Sequence, residues 1–102
     1  MVIEWLKFKV APEAREKFVQ KDDEIWTTAL AKYPGFLSKE VWISPDDPTD
    51  VSLVIRWASR EQWFSIPAAD LEQVEQQFNR ALDGNYEMVE AREYQVRKLV
   101  RV

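Results

Sequence analysis

The chain is predicted to be an α+β domain of order β-α-β-β-α-β, the ferredoxin-like order with an antiparallel sheet, on three observations. First, Val51-Ser52-Leu53-Val54-Ile55-Arg56-Trp57 is an apolar strand that runs straight into Ser59-Arg60-Glu61-Gln62-Trp63, a strand-to-helix corner with an aromatic on each side. Second, Pro34-Gly35-Phe36 ends a long helical segment and opens the strand before that corner. Third, 102 residues without linker, internal repeat or low-complexity segment make one domain spanning residues 1–102.

Residues 2 to 10, Val-Ile-Glu-Trp-Leu-Lys-Phe-Lys-Val, alternate and carry enough β-branched and aromatic side chains for a strand. Pro12 suits the first turn of a helix, and Glu13 and Glu16 stand where the helix dipole favours negative charge. That helix is expected to reach about Lys32, because Pro34 disfavours a helical Tyr33 and Gly35 breaks the pattern. A second strand is expected from Phe36 to Ile43, and the polar loop Ser44–Asp50 turns it into the third strand as a hairpin. Ser59 and Gln62 make a capping box for a short helix. Pro67 opens or kinks a further helix, in which Leu71, Val74, Phe78 and Leu82 recur at helical spacing. The last strand falls within Tyr86 to Val100.

Composition narrows the chemistry. There is no cysteine and no histidine, which removes disulfides, thiolate nucleophiles, Cys/His zinc sites, imidazole bases and the usual haem ligand. Catalysis would fall to carboxylates, Tyr, Trp, Asn, Lys, Arg or the substrate itself, and no metal or cofactor is expected. A net charge of −4 with mixed signs along the chain gives a phosphate backbone no basic stripe, so nucleic acid is not an expected partner. The basic cluster Arg97, Lys98 and Arg101 reads as a solvated strand end. No basic leader precedes a long apolar run and no stretch reaches about 18 apolar residues, so a cytoplasmic protein without a membrane partner is expected.

The strand faces carry an assembly argument. In the first strand Val2, Leu6, Phe8 and Val10 point one way and Ile3 and Trp5 the other. In the third, Val51, Leu53, Ile55 and Trp57 oppose Val54 and Ala58, with Arg56 beside them. Helices can cover one face only, so a homodimer packed through the second sheet faces is expected.

Two sets of residues invite a functional reading. On the first helix Ala11, Phe18, Ile25, Trp26, Ala29 and Tyr33 form an apolar stripe whose centre falls near Asp22 and Arg15. Asp22 is either a carboxylate held in an aromatic pocket, able to act as a general base, or one half of an ion pair with Arg15, Arg56 or a residue from a partner chain. Of the five tryptophans, Trp5, Trp26, Trp57 and Trp63 either pack the core or line a cavity on which an aromatic ligand stacks.

Tyr33-Pro34-Gly35-Phe36 after the first helix, with Arg56-Trp57-Ala58-Ser59 and Trp63 at the corner, resembles the antibiotic biosynthesis monooxygenase family of dimeric α+β barrels over nearly the whole chain. Lys21-Asp22-Asp23-Glu24-Ile25-Trp26-Thr27, followed by Pro-Gly-Phe, is similar to a small branch of that superfamily with no assigned reaction. The resemblance implies a homodimer with a cavity in each subunit between sheet and helices. Some members are cofactor-independent oxygenases of phenols and quinols, in which the substrate supplies the electrons that activate oxygen. Others degrade haem with an Asn on the first strand, a Trp on the third and a His on a later helix. Trp57 matches that Trp, the Asn position falls at about Trp5, and the His is missing, so haem degradation is not expected. What the resemblance implies instead is a cofactor-independent monooxygenase acting on a small aromatic molecule, with Asp22 or a Tyr as base and Trp57 with Trp26 holding the ring. The alternative is a non-catalytic dimer that binds a metabolite or a partner.

Overall fold

The computed structural model describes residues 1–101. Its strands are β1 (Val2–Val10), β2 (Phe36–Ile43), β3 (Asp50–Trp57) and β4 (Tyr86–Gln95), ordered β2-β3-β1-β4 in one antiparallel sheet. Between β1 and β2 lie a 3-10 turn (Pro12–Ala14), α1 (Arg15–Lys21), a π-helical turn (Asp22–Thr27) and α2 (Thr28–Leu30). Between β3 and β4 lie α3 (Arg60–Phe64) and α4 (Ala68–Leu82). The ferredoxin-like order is therefore present, with the second helical region split at Pro67 as the sequence predicts.

The shortest dimension is 20 Å, the thickness of one sheet and one helix layer at about 10 Å each. Helices cover only one face of the sheet. On the covered face stand Leu6, Phe8 and Val10 of β1 and Val51, Leu53, Ile55 and Trp57 of β3, the last four of them buried.

The first helical segment departs from the continuous α-helix expected to Lys32. Its inward residues are Ala14, Phe18, Asp22, Trp26 and Leu30, each four after the last. In an ideal α-helix every four-residue step overshoots a full turn by about 40°, so this series would spiral off the core. The wider turn over Asp22–Thr27 under-rotates and cancels the drift, keeping Asp22 and Trp26 on the sheet side.

Two motifs noted in the sequence meet at the corner. Gly35, at φ +94°, lies so close to α3 that a Cβ there would come within 2.6 Å of Gln62 Cβ, and its carbonyl accepts from Ala58 N–H at 2.7 Å. Only glycine satisfies both the backbone angle and the approach. Ser59 Oγ accepts from Gln62 N–H at 3.1 Å, as a capping box requires, but the Gln62 amide oxygen accepts from the Ser59 hydroxyl rather than reaching its backbone. One half of the box is thus formed.

Two irregularities set which side chains face inward. In β2, Phe36 pairs with Trp57 and Ser38 with Arg56, so Leu37 is an extra residue and the facing parity switches. Lys39 and Val41, opposite Ile55 and Leu53, therefore turn toward the helices. In β4 a comparable shift lies opposite Lys7 and Phe8 and turns Met88 inward. The open face carries Trp42 and Tyr94, each 50% exposed, among the pairs Arg56–Glu40 and Arg92–Glu90. Val54 on that face is only 2% exposed within the single chain, and Ala58 lies beyond the end of β3. This face thus carries Ile3 and Trp5 as the sequence pattern predicts, with charged pairs standing among its aromatic residues. No helix among the described residues is long and apolar enough to cross a membrane.

Candidate functional site

Between sheet and helices the buried apolar residues form two clusters. One is built on Phe8, Phe18, Phe78 and Leu82, the other on Leu30, Ile55, Trp57 and Ile66. Along their seam lies a cavity of about 190 Å³, bordered by members of both. Trp57 comes from the end of β3, Trp26 from the π-helical turn, and Trp63 from α3, held in place by the Gly35 corner. Leu71, Glu75 and Phe78 close it from α4. That helix is tied to the rest of the layer by Tyr33, whose hydroxyl donates to Asp70 at 2.7 Å.

Charge enters this apolar space at one end. Asp22 is 1% exposed, and its Oδ1 and Oδ2 lie 2.8 and 2.7 Å from Lys39 Nζ, with the lysine side chain 5% exposed. Glu4, projecting from β1 between Val2 and Leu6, accepts from Trp57 Nε1–H at 3.1 Å through Oε1. Lys39 does not border the cavity; Asp22 and Glu4 do. Burial pushes the Glu4 carboxyl above the ordinary glutamate value, against the opposing pulls of the Trp57 hydrogen bond and the Lys39 charge. Burial likewise raises Asp22 despite the adjoining ammonium. One cation thus serves two carboxylates in a place where unpaired charge is costly.

Of the residues singled out in the sequence, Asp22, Trp26, Trp57 and Trp63 all border the cavity. Trp5 does not. Paired with Val54 and Arg92 on the opposite parity of β1, it faces the open side of the sheet, where the Arg92 guanidinium lies 5.8 Å from its ring centre. The cation beside Asp22 is neither Arg15 nor Arg56. Arg15 meets Glu16 on the surface, and Arg56 points through the open face to Glu40 at 2.7 Å. Asp22 thus borders the cavity and is ion-paired, with Lys39 in the place of the cations the sequence suggested.

Sequence reasoning missed Glu4, Lys39 and Glu75. A signal for Glu4 was present, because it is the one polar residue in the series Val2, Glu4, Leu6, Phe8, Val10. Lys39 had no such signal, as its direction depends on the extra residue in β2.

The family model for antibiotic biosynthesis monooxygenase matches residues 1–66, from β1 through Trp63 to Ile66 of the cavity wall. The chain belongs to this family. Among curated proteins no sequence matches it. Among solved structures it is similar to SnoaB, a cofactor-independent oxygenase from Streptomyces nogalater, with a TM-score of 0.70 and 16% identity over 97% of this chain and 95% of that one. It is also similar to a protein of Nitrosomonas europaea provisionally assigned as an antibiotic biosynthesis monooxygenase, with a TM-score of 0.68, 19% identity and coverage of 96% and 100%. A conserved protein from Methanosarcina mazei gives a TM-score of 0.66 at 17% identity, covering 92% and 90%. At such identities the likeness establishes the fold over nearly the full length, including the α4–β4 portion beyond the family match, and leaves chemistry to the site itself.

Proposed function

We propose that this family member binds a small aromatic molecule in the cavity and oxidises it as a cofactor-independent monooxygenase. The observation that carries this reading is the hollow itself, about 190 Å³ of space with tryptophans on its walls and, at one end, the buried carboxylate of Asp22 and the half-buried one of Glu4. A cavity of about 150 Å³ takes up benzene, so the space suits one substituted ring. Trp26, Trp57 and Trp63 would hold that ring by offset and edge contacts.

For a phenolic substrate a cavity carboxylate accepts the hydroxyl proton. The phenolate passes one electron to dioxygen, leaving an aryloxyl radical beside superoxide. The pair combines through a new C–O bond, and the peroxide takes back the proton. Cleavage of the O–O bond then releases water and leaves a quinone. One oxygen atom ends on the ring and the other in water, and the substrate supplies all four electrons. The test is oxygen uptake with a panel of single-ring phenols and quinols, read together with product mass. Products gaining one labelled oxygen and losing two hydrogens, under labelled dioxygen, support the reading.

A second reading has a specific observation in its favour: both oxygens of Asp22 are engaged by Lys39, as in a purely structural ion pair. In it the protein binds an aromatic metabolite without turning it over. Binding of the same phenols with no oxygen uptake would establish this reading and exclude the first. We also propose a homodimer through the open sheet face, where Trp42 and Tyr94 stand exposed and a second sheet would cover them. Native mass spectrometry measures the subunit number, and a monomer at micromolar concentration contradicts this assembly.

A further inference from the structure

We infer that Glu4, rather than Asp22, is the group that receives the ligand, and that the ligand is an aromatic ring bearing an O–H or N–H donor rather than an aromatic acid. This rests on the cavity being the binding site proposed above.

Every ionisable residue bordering the cavity is acidic: Glu4, Asp22 and Glu75. Their free acceptor capacity differs. Asp22 has both oxygens on Lys39. Glu75 engages only its Oε1, with the Tyr86 hydroxyl, but stands on an exposed part of α4, where water competes for the other oxygen. Glu4 uses Oε1 for the Trp57 indole, and its Oε2 accepts no hydrogen bond among the described residues. The indole bond also fixes the Glu4 side chain against the same ring that walls the cavity, so acceptor and stacking surface are held together.

The charge count points the same way. Lys39 supplies one positive charge to the buried Asp22 and the half-buried Glu4, leaving this end of the cavity with an excess negative charge when both are ionised. A ligand carboxylate would add a further negative charge where solvent screens poorly, and like charges there repel strongly. A neutral or cationic donor instead makes a charge-assisted hydrogen bond to the free oxygen. The raised Glu4 pKa fits this role, since such a carboxylate takes a proton more readily than an exposed one.

Three probes sharing a ring and a methyl group separate the terms: 4-methylphenol, p-xylene and 4-methylbenzoate. Their binding is measured by titration calorimetry at mildly alkaline pH on the intact protein and on Glu4→Gln, which keeps an oxygen for the Trp57 indole. The expected result for the wild type is 4-methylphenol bound about tenfold or more tighter than p-xylene, with 4-methylbenzoate weakest. Glu4→Gln should bring 4-methylphenol and p-xylene to within about threefold of each other and improve 4-methylbenzoate. If p-xylene or 4-methylbenzoate equals 4-methylphenol in the wild type, or if Glu4→Gln preserves the preference, the assignment to Glu4 fails while the cavity remains a site. If no probe binds, the cavity reading fails with it. Should Glu4→Gln not fold, Asp22→Asn is the second variant: the preference for 4-methylphenol should persist in it, and its loss there would overturn the assignment to Glu4.

Discussion

The two ends of the layer between sheet and helices use similar aromatic residues and finish differently. At the end where β1 finishes and β4 begins, Phe8 and Phe18 lie 5.2 Å apart, Phe18 and Phe78 5.3 Å, and Phe78 and Tyr86 5.0 Å, measured between ring centres, in tilted and edge-on contacts. Phe18 and Phe78 are essentially without solvent exposure, and of these rings Phe8 and Phe78 border the cavity while Phe18 and Tyr86 do not. At the other end Trp26, Trp57 and Trp63 surround a hollow. What differs is the acid. Glu4 and Asp22 occupy positions in the apolar register that at the first end hold Phe8 and Phe18, each four residues away along β1 or the helix. A carboxylate carries less apolar surface than a phenyl ring and needs a polar partner, so the layer cannot close over it in the same way. A count of tryptophans therefore does not separate core from cavity; an acidic residue in the apolar register does.

This contrast can be broken from either side. The largest effect is expected at the closed end, where Phe18→Ala removes a fully buried ring from three aromatic contacts and should cost roughly 3–5 kcal/mol by urea denaturation. A loss below about 1 kcal/mol would mean that the end is not tightly packed. At the open end, Lys39→Met strands Asp22 beside Glu4 without a cation, for an expected loss of roughly 3 kcal/mol at neutral pH. Because Asp22 can escape by taking up a proton, that loss should shrink on acidification.

Enlarging a side chain sharpens the comparison. Val51, fully buried in the phenylalanine cluster, has no room to grow, and Val51→Phe should cost roughly 1–3 kcal/mol. Leu71 borders the cavity, so Leu71→Phe should change stability by less than about 1 kcal/mol while abolishing binding of 4-methylphenol. Equal costs for the two substitutions would argue that the hollow is not open space.

The smallest effect is a slope. Glu4 and Asp22 have raised folded-state pKa values, so between the ordinary carboxylate value and the raised one the folded state binds more protons than the unfolded state. Stability from these groups is fully present below the unfolded pKa and is lost as pH rises through the folded one. The stability difference between wild type and Glu4→Gln, followed by urea midpoints across the acid range, should therefore move against the wild type as pH rises. The exposed carboxylates Glu24 and Glu40, lowered by hydrogen bonds from Lys21 and Arg56 respectively, act with the opposite sign. They are common to both proteins and cancel in the difference.

Much of the fold was legible because its signals are local. Alternation in β1 and β3, Pro34-Gly35 after the helix and Ser59 at the start of α3 each specify their own element. Asp22 was legible because a charged residue in an apolar helical stripe stands out even when the helix winds irregularly. The site was less legible where a side chain's direction depends on a partner strand. Lys39 turns inward only because Leu37 adds a residue to β2. The outward direction of Trp5, by contrast, was legible in the alternation of β1, and its grouping with the cavity tryptophans overlooked that parity. The π-helical turn was hidden for a similar reason: its sequence suits an α-helix, and packing of Asp22 and Trp26 against the sheet selects the wider winding.

The most direct test of the open end as a ligand site is a crystal structure of the protein in complex with 4-methylphenol. The expected result is one ring in the hollow against Trp57, with its hydroxyl about 2.7 Å from Glu4 Oε2. A hollow filled by collapsed side chains or ordered water, with the phenol bound elsewhere or not at all, would contradict the account.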